Sequence, residues 1–126
     1  MSRLLVVDDE ANIRLLYSAE LTEEGYEVET AATISEALEK LAQKSFDLVL
    51  LDIKLKNESG IELLQKIVKE RHDMPVILCS AFSSYKDDFS AWLADSYVVK
   101  SGDLTELKEE VRRVLEKKSQ RKAAGL

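Results

Sequence analysis

Short unbroken apolar runs alternate along this chain with longer stretches in which apolar residues recur every three or four positions. The first pattern predicts buried strands and the second predicts amphipathic helices. LLVV (4–7), VETA (28–31), DLVLLD (47–52), VILCS (76–80) and YVV (97–99) read as five strands, with VETA the weakest. Between the first two, Ala11 to Glu24 places Ile13, Leu16, Tyr17 and Leu21 near one helical face, and Gly25 terminates it. Thr33–Glu36 has the spacing of a capping box and opens a helix with Ala37, Leu38 and Leu41 on its apolar face. Ser59–Glu62 repeats that spacing before a helix to about Arg71. Asp103–Glu106 repeats it before a last helix to about Lys118. The stretch FSSYKDDFSAW (82–92) is weakly patterned, and a polar helix is expected at about 84–93.

The order is therefore strand then helix, five times. Strands without polar alternation are apolar on both faces, which predicts a parallel sheet covered by helices on each side. Right-handed crossovers then favour an α/β fold with an open, doubly wound, five-stranded parallel sheet in three α/β/α layers. Five units are too few for an eight-stranded barrel. One domain is expected over residues 1–118. Residues 119–126 (SQRKAAGL) read as a flexible C-terminal tail or the stump of a linker.

Composition narrows the function classes. The chain has 126 residues, 45% apolar and 33% charged, which suits one globular domain with a sizeable core. Its net charge of −6 argues against nucleic acid as the main partner. Cys79 is the only cysteine, so an intrachain disulfide is excluded. It reads as a small buried hydrophobe rather than a redox sensor. No apolar run is long enough for a signal peptide or a membrane span, so a reducing cytoplasm is the expected location.

The chemistry gathers at strand ends. In open parallel sheets, ligands bind outside the carboxyl ends of the strands. Asp8 and Asp9 follow the first strand, Asp52 ends the third, Ser80 the fourth, and Lys100 follows the fifth. All five should converge on one rim. Taken singly, each has a structural explanation as a helix-terminus charge, loop acid, turn residue or solvated cation. Taken together, crowded carboxylates raise one another's proton affinity unless a cation joins them. All-oxygen ligands suit Mg²⁺. A divalent cation, a lysine, a hydroxyl and a spare carboxylate equip a site for phosphoryl transfer onto that carboxylate.

LLVVDDE, LVLLDIKL with Gly60 eight residues after Asp52, VILCSA and YVVK, in this order, resemble the receiver domains of two-component response regulators, which have a flavodoxin-like (βα)5 fold. The likeness spans residues 3–118. It implies a phosphoacceptor, not an enzyme that turns over a separate substrate. Asp52 would accept a phosphoryl group from a phosphohistidine of a sensor histidine kinase or a phosphotransfer protein. Asp9 and Asp52 would ligate Mg²⁺ directly with the backbone carbonyl of Lys54, and Asp8 would act through a metal-bound water. Lys100 would pair with phosphoryl oxygens. Ser80 would swing toward them, and Tyr97 would move inward behind it, switching a surface for a downstream protein. Helix 1 beside the site would dock the kinase, with Asn12, Ile13 and Leu16 as candidate contacts. Ile13 and Leu16 also fit the buried face, and the spacing leaves both readings open.

The chain departs from the family pattern in places. Ser101 follows Lys100 where proline is usual. A non-proline cis bond costs about 3–4 kcal/mol, so this peptide is expected to be trans. Leu55-Lys56 replaces the usual Met-Pro. The stretch from Ser80 to Lys100 is about two residues short, with Trp92-Leu93-Ala94 before the fifth strand, which predicts a short or shifted fourth helix and an altered output face. Lys54 and Phe82 are expected to flank the phosphoryl group and slow its loss to water. His72 reads as an inert surface residue. Lys117, Lys118, Arg121 and Lys122 complement the dipole of the last helix. Rival readings are a receiver cut from a longer regulator, a degenerate receiver used as a scaffold, and a phosphatase with an aspartyl nucleophile. The last needs a second acid where Lys54 stands. A nucleotide-binding module would need a Gly-rich turn after strand 1, and none is present.

Overall fold

The computed structural model describes residues 1–71, 73–81 and 93–124. The predicted helix at 84–93, together with His72, Phe82 and Trp92, lies outside the described residues. Seven strands and four helices are present among those described. In chain order they are β1 (Arg3–Val7), α1 (Ala11–Glu23), β2 (Glu27–Ala31), α2 (Ile34–Gln43), β3 (Leu48–Asp52), β4 (Lys54–Leu55), β5 (Glu58–Ser59), α3 (Gly60–Glu70), β6 (Val76–Ser80), β7 (Ser96–Val99) and α4 (Thr105–Ala124). Five strands form one parallel sheet in the order β2-β1-β3-β6-β7. The small antiparallel hairpin β4-β5 was not foreseen from the sequence.

Alternation along each strand divides the core into two layers. Leu5, Val7, Val49, Leu51, Val76 and Leu78 face α2 and α3, where Ala37, Leu41, Leu63, Leu64 and Ile67 meet them. Leu4, Val6, Leu48, Leu50, Ile77 and Cys79 face Tyr17 and Leu21 of α1 and Leu107, Val111 and Val114 of α4. The central strand β3 is buried throughout, its apolar run Leu48–Leu51 as well as the Asp52 that ends it, whereas edge strand β2 is largely half-exposed. This is the expected doubly wound, three-layer arrangement.

Helix starts differ in detail from the expected caps. Thr33 accepts the Glu36 N–H, but the Glu36 carboxylate reaches Ala32 N–H rather than the cap itself. Ser59 accepts from Ile61 N–H. Asp103 accepts from the N–H and hydroxyl of Thr105. Gly25 terminates α1 with φ 97°, a conformation that glycine reaches at little cost. The last helix runs on to Ala124, so residues 119–124 of the segment read as a flexible tail continue the helical backbone past Lys118. Its sequence is rich in Lys, Arg and Ala, good helix formers that need no tertiary contact to prolong an existing helix.

Candidate functional site

Because β1, β3, β6 and β7 lie side by side and run in one direction, their carboxyl ends share a rim. Val7 pairs with Leu51, Asp52 with Cys79, and Ser80 with Val99. Asp8, Asp9, Asp52, Ser80 and Lys100 are therefore neighbours across four strands. Asp8, Asp52 and Ser80 are the buried polar side chains among the described residues.

Lys100 is the electrostatic centre. Its Nζ lies 2.7 Å from Asp8 Oδ2 and 3.2 Å from Asp52 Oδ2. Its backbone N–H donates to the Ser80 carbonyl at 2.6 Å, which holds the loop after β7 against β6. The Lys100–Ser101 peptide is trans, as expected of a bond that lacks proline. Asp8 is held at both ends: Oδ1 accepts the Glu10 N–H at 2.9 Å, and Arg14 Nη1 donates to its carbonyl at 2.8 Å. Asp52 Oδ1 faces the Lys54 N–H at 3.4 Å, and Asp9 Oδ2 accepts the Lys56 N–H at 3.2 Å. One oxygen from each of Asp8, Asp9 and Asp52 can be chosen so that all lie within 4.8 Å of one another.

Two buried carboxylates, Asp8 and Asp52, share the Lys100 ammonium, and Asp9 brings a third acid within reach of both. Burial pushes the Asp52 carboxyl up to about 6, with Asp8 adding to the rise and Lys100 opposing it. Burial alone would lower Lys100, but its hydrogen bond to Asp8 and the charge of Asp52 outweigh that, and the ammonium is held above its usual range. Hard oxygen donors that converge in this way fit a small divalent cation such as Mg²⁺. The site opens into a cavity of about 260 Å³ lined by Asp9, Glu10, Asp52, Lys54, Lys56, Ser80, Ala81 and Lys100.

Gly60 has a packing reason. A Cβ there would stand 2.0 Å from the carbonyl oxygen of Asp52, and its N–H donates to Ile53 at 2.6 Å. The start of α3 is thereby pressed against the end of β3.

The structure brings five of the predicted side chains together, with Lys54 at the cavity wall. Tyr97 stands apart from the cavity lining, half-buried on β7 against the core layer under α2 and α3. On α1 the open question is resolved residue by residue. Ile13 packs against the core, Asn12 is exposed, and Leu16 is 43% exposed. Leu15, which the periodicity did not single out, is 73% exposed beside it. Lys56 and Arg14 were also missed. Lys56 acts through its main chain, and Arg14 through a carbonyl six residues earlier, so neither contact leaves a signal in residue type.

Comparison with known proteins bears on this geometry. The family model for the response regulator receiver domain matches residues 4–112. Response regulator ArlR of Staphylococcus aureus is 32% identical over 123 residues. The match covers 96% of this chain and 56% of ArlR, so the chain spans about half the length of the curated relatives it matches. The response regulator TrrA of Thermotoga maritima, in complex with Mg²⁺-BeF, is 50% identical with a TM-score of 0.87, over 90% of this chain and 99% of that one. The same protein has been solved with the histidine kinase ThkA, at 50% identity and a TM-score of 0.86, over 91% of this chain and 99% of that one. A CheY-like receiver from Methanospirillum hungatei is 35% identical with a TM-score of 0.90, over 96% of this chain and 98% of that one. An ordered set of motifs, a doubly wound parallel sheet and an acid–lysine rim thus coincide with a match over nearly the whole chain: it belongs to the response regulator receiver domains.

Proposed function

We propose that this receiver is a phosphoacceptor that takes a phosphoryl group onto Asp52 in a Mg²⁺-dependent step. The donor is a phosphohistidine of a sensor histidine kinase or a phosphotransfer protein. The observation that carries the reading is the Asp52 carboxylate, held 3.2 Å from Lys100 at the mouth of a cavity on which Asp8 and Asp9 converge.

In the proposed step an Asp52 oxygen attacks phosphorus. An O–P bond forms, the N–P bond breaks, and its electron pair returns to the imidazole nitrogen. Lys100 neutralises charge on the phosphoryl oxygens, and the Ser80 hydroxyl donates to one of them. Asp9, Asp52 and the Lys54 carbonyl would hold Mg²⁺, with Asp8 acting through a water. When bound, that ion supplies charge neutralisation and in-line orientation of the transferred group. Tyr97 follows Ser80 inward and converts the chemical event into a changed surface on the β7 side. Cytoplasmic location agrees with the chemistry, and no helix among the described residues is long and apolar enough to cross a membrane. The kinase complex of TrrA supports a histidine kinase as partner, and Leu15, Leu16 and Asn12, exposed on α1 near the rim, offer the docking surface.

The test is intact mass after incubation with a small phosphodonor such as acetyl phosphate. One phosphoryl adduct is expected with Mg²⁺, none in EDTA, and none for Asp52→Asn. An adduct that forms equally in Asp52→Asn, or without Mg²⁺, would overturn the assignment.

A further inference from the structure

The hairpin β4-β5 is anchored on three sides. Leu55 is 1% exposed and sits in the core under α2 and α3. The Glu58 carboxylate accepts the Ile34 N–H in the first turn of α2 at 3.2 Å. Gly60, directly after the hairpin, is pressed on the Asp52 carbonyl too closely for any side chain. Between these anchors Lys56 has φ 38°, the left-handed region that non-glycine residues seldom adopt. Such a conformation persists where its surroundings over-determine it. The pose aims the Lys56 N–H at Asp9 Oδ2, 3.2 Å away.

We propose that Lys56 is a positioning residue of the acidic pocket, whose main-chain N–H holds the Asp9 carboxylate in the orientation that converges with Asp8 and Asp52 on a divalent cation. The inference rests on the reading of this pocket as a Mg²⁺ site and adds a residue to it. Asp9 is only half-buried, on a short side chain, and is repelled by two neighbouring acids. Left alone it would turn toward water. An N–H dipole on one oxygen offsets part of that repulsion and fixes the other oxygen, as partners of metal-binding carboxylates do elsewhere. Proline, usual in the family at this place, has no N–H to give. The device is therefore open to this chain because a residue other than proline stands at position 56.

The decisive variant is an amide-to-ester replacement at Lys56, made by semisynthesis with the α-hydroxy analogue of lysine. It exchanges one N–H for oxygen and keeps the side chain and its charge. Calorimetric titration with MgCl₂ is expected to show affinity reduced by about tenfold. Lys56→Gly keeps the N–H and suits a positive φ, and is expected to bind Mg²⁺ no more weakly than the parent. An ester variant that binds like the parent, or a Lys56→Gly variant that loses as much affinity as the ester, would overturn the proposal. A measurement independent of the ester's folding is amide hydrogen exchange at Lys56. Protection is expected in the parent and its loss in Asp9→Ala. Exchange in the parent as fast as in an unstructured peptide would also overturn it. A parent that binds no Mg²⁺ would remove the cation-site reading together with this one, whereas a failure confined to the ester and the exchange data leaves that reading standing.

Discussion

The two ends of the sheet use the same residue types to different effect. At the amino end, Asp47 accepts the Arg3 N–H at 2.8 Å and lies 3.8 Å from Lys118 Nζ, with its side chain 42% exposed. Each Asp47 oxygen has a donor or a cation beside it, and water screens its charge. At the carboxyl end, Asp8 and Asp52 share Lys100 with Asp9 close by, and the Asp8 and Asp52 side chains are almost wholly buried. The first arrangement closes the sheet. The second crowds acids around one buried lysine, where burial leaves water little room to screen Asp8 and Asp52. An ion pair read from residue types alone says little; burial and the ratio of acids to bases decide whether it is a brace or a receptor.

The largest expected effect breaks the crowded end. Lys100→Met removes the single ammonium from two buried acids, and in EDTA at pH 7.5 denaturant unfolding should show a loss of about 3 kcal/mol. Added Mg²⁺ should recover a large part of it, because a cation binding only the folded state stabilises that state. Equal loss with and without Mg²⁺ would mean that Lys100 serves packing rather than charge.

A somewhat smaller effect of opposite sign is expected for Asp52→Asn. The folded carboxyl titrates near 6, above its ordinary value of 3.8, so the folded state binds the proton more tightly than the unfolded chain does. Asp52 therefore costs the cation-free protein stability as pH rises from about 4 through 6. Removing its charge should stabilise the EDTA-treated protein by about 2 kcal/mol at pH 7.5, and the gain should shrink toward zero as pH falls to 4. A gain that does not change with pH would show that the carboxylate is not under electrostatic stress.

The smallest effect sharpens the contrast from the other end. Asp47→Asn keeps the shape and removes a screened charge, and should change stability by less than about 1 kcal/mol. Phosphoryl adduct formation should be unaltered. A loss of adduct would mean that the amino end communicates with the rim.

Much of this molecule was legible in residue order. Unbroken Val, Leu and Ile runs require burial on both faces, so the parallel sheet and its two covering layers followed from the strands at 4–7, 47–52 and 76–80. Strand polarity then sends Asp8, Asp9, Asp52, Ser80 and Lys100 to one rim, because parallel strands share their carboxyl ends. The spacing between Asp52 and Gly60 was also visible, though its reason was not: a Cβ cannot stand 2.0 Å from the Asp52 carbonyl.

The tertiary structure decided what depends on which groups meet. Ile13 and Leu16 share one face in a periodicity analysis, yet Ile13 packs against the core while Leu16 and its neighbour Leu15 are exposed. The β4-β5 hairpin is too short for any pattern to announce. The N–H that Lys56 offers to Asp9 belongs to the backbone, which every residue but proline carries alike. Sequence by itself determined which chemical groups this protein would gather at the rim, because where each strand ends and how its residues alternate are local properties. Only the fold decided how those charges are shared and what holds them, because burial and hydrogen bonding depend on residues far apart in the chain.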